Sequence, residues 1–162
     1  MKLDIKKYGE PILRGKTVKI KDPSAKDVQT LISNMLETMK ANNGVGLAAP
    51  QVGSTLRLCV VDAEGSAYVL INPQITASSK TKLISEEGCL SFPGKFFPVP
   101  RHASVQVRFL DQDGAAQKIK ASGLLARAFQ HEIDHLDGVL IIDRIKKTRQ
   151  TKKEIADKKI KK

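Results

Sequence analysis

The chain has 162 residues, of which 41% are hydrophobic and only two are cysteines, so it is long enough for one domain without disulfide crosslinks. No apolar run approaches the roughly 18 residues that a membrane-spanning helix needs, and the first residues show no signal peptide. We therefore expect a cytoplasmic protein without membrane contact, although its net charge of +11 leaves nucleic acid among the partners to consider.

The first predicted element is an amphipathic helix over residues 24–42. Ser24 followed by Asp27 predicts a capping box at its start, and Asn42-Asn43-Gly44 predicts its end. The apolar side chains of one helix face recur at helical spacing: Val28, Leu31, Ile32, Met35 and Met39. We expect this face, methionines included, to pack in the core.

The next segment is Gly44-Val45-Gly46-Leu47-Ala48-Ala49-Pro50-Gln51. Two glycines one residue apart in an apolar run indicate either a turn or a close approach of another group to the backbone. No Gly-Lys-Ser/Thr follows, which excludes a phosphate-binding loop of that type. Taken alone, Gln51 is typical of a polar surface residue.

Several β-strands are predicted in the middle of the chain. Residues 56–62 and 68–72 are rich in apolar side chains, and residues 104–110 alternate apolar with polar. A turn at residues 111–114 pairs this last strand with one over residues 117–121. The predicted fold is α+β, with antiparallel strands packed around a central helix.

That central helix is predicted over residues 122–138, and it contains Gln130-His131-Glu132-Ile133-Asp134-His135-Leu136. Residues four apart share one helix face, so both imidazoles can reach one metal ion, while Glu132 lies beside it as a base for water. The residues available to the core are Leu124, Leu125, Ala128 and Ile133 or Leu136. The pattern predicts a hydrolase with a single metal ion.

The third metal ligand has several candidates. Asp137 points away around the helix, Asp143 lies further downstream, and His102 lies in a proline-rich segment. Cys89 is the stronger candidate, because a thiolate binds borderline metals tightly and Gly88 lets the backbone come close. Without the two histidines, Cys89 would be interpreted as a buried structural cysteine.

Three of these stretches together resemble the signatures of the bacterial peptide deformylases. They are Gly44–Gln51 as written above, Glu87-Gly88-Cys89-Leu90-Ser91, and Gln130 to Leu136, in the family's order. The similarity runs from about residue 3 to the mid-140s. It implies a catalytic domain over residues 1–146 with the peptide deformylase fold, followed by a basic tail over residues 147–162, which we expect to be helical or partly disordered.

The resemblance assigns the metal site and the base. Cys89, His131 and His135 would bind one divalent metal, with Fe²⁺ expected natively and Zn²⁺ or Ni²⁺ able to replace it. Glu132 would be the general base for water and then the general acid for the departing amine. The reaction would remove the N-formyl group from the initiator methionine of nascent chains and release formate.

The resemblance also assigns groups that contact the substrate. Gln51 through its side-chain amide and Leu90 through its backbone N–H would stabilise the oxyanion, with Gly46 also in the catalytic set. The peptide would pair with the backbone of residues 44–46. The remaining substrate-binding residues are expected to be Gly44, Val45, Gly46, Glu87, Leu124, Arg127 (through its stem) and Ala128.

Two positions depart from the family pattern. Many bacterial members carry an arginine shortly after the cysteine signature, where this chain has Phe96, although Arg101 lies close behind. Ser85 stands where a larger apolar residue is expected. These departures leave the shape of the pocket open, but not the chemistry.

The end of the chain is strongly basic. Residues 146–162 carry nine basic side chains against two acidic ones, which fits either a solvated terminal helix or a segment that binds nucleic acid. Since some deformylases dock on the ribosome through such a helix, the second interpretation predicts a ribosomal partner for an otherwise monomeric enzyme. Two other functions stay open: a general metallopeptidase of the His-Glu-x-x-His type, and a non-catalytic RNA-binding protein.

Overall fold

The computed structural model describes residues 1–145, so the predicted basic tail lies outside the described residues. Three short 3₁₀ helices within the described part span Pro11–Arg14, Ala49–Val52 and Ile141–Asp143. The helices and strands that build the rest of this part are, in chain order, α1 (Lys26–Ala41), β1 (Gly46–Ala48), β2 (Leu58–Ala63), β3 (Ser66–Ser78), β4 (Lys82–Cys89), β5 (Phe92–His102), β6 (Ser104–Leu110), β7 (Ala116–Ser122) and α2 (Gly123–Leu136).

Five strands form one antiparallel sheet in the order β1-β2-β3-β6-β7, and β4 pairs with β5 in a separate hairpin. The sheet lies between the two helices. Along β2, Cys59 and Val61 pack in the cluster that contains α2, whereas Leu58 and Val60 pack in the cluster that contains α1. Burial on both faces explains why β2 is apolar without alternation. The predicted α+β fold, with antiparallel strands around a central helix, is confirmed.

Helix α1 is confirmed within its predicted range, but the prediction of its cap is wrong. The residue before the helix is Ala25, and no side chain caps it. The Ser24 hydroxyl donates to Asp22 at 2.7 Å, because a local turn at Asp22 competes for it. The helix ends as expected, with Asn43 in the left-handed region at φ 54°.

Helix α2 is slightly shorter than predicted, and Leu124 does not enter the core. Leu124 is 49% exposed, because the first turn of α2 extends past the sheet to the mouth of a cavity. Ala128, Ile133 and Leu136 are buried as expected. Gly138 then ends the turn at φ 73°, where a Cβ would lie 2.6 Å from the Arg14 carbonyl oxygen, so only glycine fits.

The β4–β5 hairpin was missing from the sequence-based prediction. Prolines at 93, 98 and 100 and the charged residues of β4 hide any strand alternation there. The hairpin is held by a third apolar cluster: Leu13, Phe92, Phe97, Val99, Leu140, Ile141, Ile142 and Ile145. This packing presents the end of β4, with Cys89, to helix α2. No helix in residues 1–145 is long and apolar enough to cross a membrane.

Candidate active site

Three side chains converge where the end of β4 meets α2. One ligand atom each from Cys89, His131 and His135 lies within 4.8 Å of the others. The Cys89 Sγ and the His135 Nε2 are 3.3 Å apart. One thiolate and two imidazoles form a donor set that suits Zn²⁺, Fe²⁺ or Ni²⁺, so these residues fit a divalent metal ion.

The other candidate ligands lie elsewhere. Asp137 accepts a hydrogen bond from Arg57 at 2.8 Å, and Asp143 pairs with Arg14. The Nδ1 of His102 donates to the Ser79 carbonyl oxygen at 2.7 Å. The structure therefore brings only Cys89, among the candidates for the third ligand, to the two histidines.

A buried carboxylate orients the first histidine. The Nδ1 of His131 lies 2.8 Å from Oε1 of Glu87, so it donates there and leaves Nε2 free to bind a metal. Burial raises the pKa of Glu87, but hydrogen bonds from His131 and Arg101 outweigh it and lower the pKa to about 2. Glu87 is therefore an anion that fixes the ring of His131.

The two imidazoles have opposite protonation tendencies in the metal-free site. Burial lowers the pKa of His131, but the negative charges of Glu132 and Cys89 outweigh it, so the pKa lies well above the ordinary 6.5. Burial and the nearby charges of His131 and Arg101 lower the pKa of His135 well below 6.5. A metal ion bound at this site would therefore have to displace a proton from His131.

Glu132 has the properties of a general base. It is 4% exposed, its Oε1 has no hydrogen-bond partner among the described residues, and Gly46 lies against its carboxylate. Burial raises the pKa of Glu132 to about 7, which outweighs the opposing effect of His131. A carboxyl group with a pKa near neutrality can both take and return a proton.

Gln51 faces Cys89 rather than the surface, which corrects the interpretation drawn from this residue alone. It is 1% exposed, and its Oε1 accepts a hydrogen bond from the Ala48 N–H at 2.9 Å. Its Nε2 donates one N–H to the Ser91 Oγ at 3.1 Å and the other to the Cys89 Sγ at 3.6 Å. Both N–H groups therefore have a partner, and the second is directed at the Cys89 sulfur.

Ser91 is a site residue to which sequence reasoning gave no role. Its hydroxyl donates to the Lys6 carbonyl oxygen at 2.7 Å and accepts from Gln51. It therefore fixes the amide of Gln51 in one orientation. Its position inside the cysteine signature was the available signal.

A cavity of about 550 Å³ opens beside these groups. Its lining contains every predicted site residue except His135: Gly44, Val45, Gly46, Gln51, Glu87, Cys89, Leu90, Leu124, Arg127, Ala128, His131 and Glu132. Val45 and Leu124 are about half exposed at its mouth. Sequence reasoning did not place Ile5, Lys7 or residues 93–95 in the lining.

Phe96 takes the place of the expected arginine at this mouth. It is 66% exposed and lies across from Gly88, where a Cβ would be 2.8 Å from its ring. Arg101 does not replace the missing cation, because it is 4% exposed and pairs with Glu87 and Asp134. The mouth is therefore aromatic at this point.

Comparisons with known proteins agree with this geometry. Residues 2–151 match the family model for polypeptide deformylase. The chain is 50% identical to a peptide deformylase of Thermodesulfovibrio yellowstonii, over 98% of this chain and 96% of the relative. It is 52% identical to that of Dictyoglomus thermophilum, over 87% of this chain and 91% of the relative.

Two solved structures share the fold. The peptide deformylase of Thermotoga maritima superposes with a TM-score of 0.88 at 39% identity, covering 91% of this chain and 99% of that one. The peptide deformylase of Synechococcus elongatus in complex with actinonin gives 0.90 at 39% identity, covering 96% and 85%.

Proposed function

This chain belongs to the polypeptide deformylase family, and we propose that the buried carboxylate of Glu132 is the general base of its reaction. The protein is an amide hydrolase that removes the N-formyl group from formylmethionyl peptides and releases formate. The observation that carries the assignment of the base is the buried Oε1 of Glu132, which has no hydrogen-bond partner within residues 1–145 and lines the same cavity as Cys89 and His131.

We propose that Cys89, His131 and His135 hold the divalent metal of this family, and that it is Fe²⁺ in the native protein. When bound, the ion supplies a Lewis acid that activates water and polarises the formyl carbonyl. The support is the convergence of one sulfur and two nitrogen donors. Anaerobic purification followed by metal analysis tests this identity, and a preparation that contains only zinc at full activity contradicts it.

Glu132 takes one proton from the attacking water, and the new C–O bond forms at the formyl carbon. The same carboxyl group then delivers the proton to the peptide nitrogen as the C–N bond breaks, giving formate and a free amine. Its raised pKa of about 7 suits both transfers. Burial keeps bulk water from competing for the proton.

Gln51 and Leu90 stabilise the negative charge that develops on the formyl oxygen. The Gln51 amide is fixed by Ala48 and Ser91, and its second N–H, which donates to the Cys89 Sγ in this structure, is the one proposed to turn to this oxygen. A neutral amide donor also avoids placing a second fixed positive charge beside the metal. The backbone N–H of Leu90 is proposed as the second donor.

The substrate backbone pairs with the chain at Gly44–Gly46. Strand β1 is the outer strand of the five-stranded sheet, with β2 on one side only, so its other edge can accept an extended peptide. Leu124, Ala128 and the stem of Arg127 line the cavity where the methionine side chain would bind. Gly46 lies against Glu132, and this close contact supports a wall that would admit hydrogen on the reacting carbon but not a larger acyl group.

Rates on three peptides test this function. We expect rapid formate release from formyl-Met-Ala, and at least about a hundredfold slower hydrolysis of acetyl-Met-Ala because the extra methyl group meets the wall at Gly46 and Glu132. A blocked peptide with only internal amide bonds should remain uncut. Cleavage of that peptide at a comparable rate would instead support a general metallopeptidase.

We also propose that the basic tail contacts ribosomal RNA. The support is charge alone, since nine basic side chains face two acidic ones over residues 146–162. Deleting residues 147–162 should weaken ribosome binding, with a loss that shrinks as salt is raised, and should leave hydrolysis of formyl-Met-Ala intact. An unchanged affinity for ribosomes would refute this proposal.

A further inference from the structure

Arg127 makes contacts that its place in the pocket wall does not explain. It lies in the first half of α2, and its side chain is only 13% exposed. Its guanidinium donates to the Glu87 carboxylate at 2.5 Å, to the Val99 carbonyl oxygen at 2.9 Å and to the Leu83 carbonyl oxygen at 2.7 Å. One side chain thus joins α2 to both strands of the β4–β5 hairpin.

The Glu87 carboxylate has four donors around its two oxygens. Oε1 accepts from His131 Nδ1 at 2.8 Å and from Arg101 at 3.0 Å. Oε2 accepts from Arg101 at 2.9 Å and from Arg127. Arg101 is held on its far side by Asp134, whereas Arg127 is held by the hairpin carbonyls. The carboxylate is therefore clamped from two directions.

We propose that Arg127 is a positioning residue for the metal ligand His131 and acts through Glu87. Its guanidinium fixes the carboxylate against the hairpin, and the carboxylate fixes the imidazole ring and its tautomer. Arg127 also lines the cavity assigned to methionine, so one residue serves both the pocket and the metal site. This assignment rests on the proposed metal site of the deformylase.

The size of the expected effect follows from what remains after the guanidinium is removed. Glu87 keeps three of its four donors, so it should stay ionised and paired with His131, but it loses the anchor to β4 and β5. Loss of a group beyond the metal ligands typically costs 10- to 100-fold in metal affinity. We expect the lower end, about tenfold, for Arg127→Met.

Titration of the metal-free protein with Co²⁺ measures this effect without catalysis. The dissociation constant and the visible d–d absorption of the bound ion are recorded for wild type, Arg127→Met and Arg127→Lys. Methionine keeps an unbranched stem without the charge. Lysine keeps a cation that can reach Glu87 but lacks the planar fork that also bonds both hairpin carbonyls, so its affinity should lie between those of wild type and the methionine variant. A shifted d–d spectrum in the methionine variant shows altered ligand geometry, which a purely structural loss would not produce.

Arg144→Met is the matched control. Arg144 pairs with Asp134 at 3.0 Å, is half exposed and does not contact Glu87. The Arg144→Met substitution removes the same charge from the exposed end of the same ion-pair network. The Co²⁺ affinity and spectrum of this variant should therefore match those of wild type. Equal losses in Arg127→Met and Arg144→Met would show an effect of net charge and overturn the proposal. Unchanged Co²⁺ binding in Arg127→Met would also overturn it.

Two further measurements separate an effect on folding or on substrate choice from an effect on metal binding. If Arg127→Met unfolds in circular dichroism, Arg127→Lys decides, and a lysine variant that folds and binds Co²⁺ with the affinity and spectrum of wild type contradicts the proposal. The ratio of rates on formyl-Met-Ala and formyl-Ala-Ala should stay within about twofold in Arg127→Met, because the stem is kept. Absence of formate release by wild type would refute the proposed function, whereas the Co²⁺ series tests Arg127 independently.

Discussion

The contact between Gly46 and Glu132 makes a sharp prediction about catalysis. A Cβ at Gly46 would lie 2.8 Å from both Cγ and Cδ of Glu132. Carbon atoms pack at about 3.5–4.0 Å, so Gly46→Ala must displace the carboxylate by roughly 1 Å. A displacement of that size costs about a hundredfold in rate, which corresponds to about 2.7 kcal/mol at 1.36 kcal/mol per tenfold.

The effect on folding should be no larger than about the effect on rate. Overpacking costs about 1–3 kcal/mol, which lowers the Tm of a chain of this size by roughly 2–12 °C. Gly44→Ala is the matched comparison, because the one contact of its Cβ shorter than 3.0 Å would be Leu90 Cδ1, at 2.9 Å, and that side chain can rotate. We expect its kcat to fall by about tenfold at most.

Formate release from formyl-Met-Ala, with metal content measured on the same samples, checks this reasoning. Gly46→Ala should keep its metal, because Glu132 is not a ligand, and should lose kcat about a hundredfold. If Gly46→Ala retains kcat within about threefold of wild type while folded and loaded with metal, the carboxylate does not need its observed position.

Three other properties follow from the structure. Since the pKa of His131 is raised well above 6.5 in the metal-free site, a bound metal ion must displace its proton. The apparent metal affinity should therefore rise about tenfold per pH unit near neutrality. Metal titrations at several pH values would show this rise, and an affinity that does not change with pH contradicts it. Burial raises the pKa of the Cys59 thiol well above its ordinary value. Iodoacetamide should therefore modify Cys89 alone once a chelator has removed the metal. Mass spectrometry that finds Cys59 alkylated in the folded protein would contradict this. Phe129 is fully buried and packs edge-on against Tyr68, so Phe129→Ala should cost about 3–5 kcal/mol in denaturant unfolding, and a loss under about 1 kcal/mol would show that the core is not as described.

Local spacing in the sequence predicted the parts of the site that lie on one element. His131 and His135 share a face because an α-helix repeats every 3.6 residues, and Glu132 follows one residue after the first ligand. Helix α1 was found in the same way, from the spacing of its apolar face. The missed capping box at Ser24 shows the limit, since a neighbouring Asp22 offered its hydroxyl a closer partner.

Contacts between distant segments were not predictable from spacing. Glu87 was expected to bind substrate, but its oxygens bond His131, Arg101 and Arg127, which lie 44, 14 and 40 residues away in the chain. The missed β4–β5 hairpin brings these groups together, and no local pattern records that pairing. Resemblance to a family supplied the roles of Gln51 and Leu90, which composition and periodicity would have left as surface and core residues.

The most direct test of the mechanism separates the base from the metal ligands in one titration. Metal-free wild type and Glu132→Ala each receive increasing Fe²⁺ under anaerobic conditions, and bound metal and formate release are measured together. We expect both to bind one equivalent with similar affinity, with activity rising in wild type and staying about a hundred- to ten-thousand-fold lower in the variant. Metal-loaded Glu132→Ala that hydrolyses formyl-Met-Ala within about tenfold of wild type would contradict the role of Glu132 as the general base.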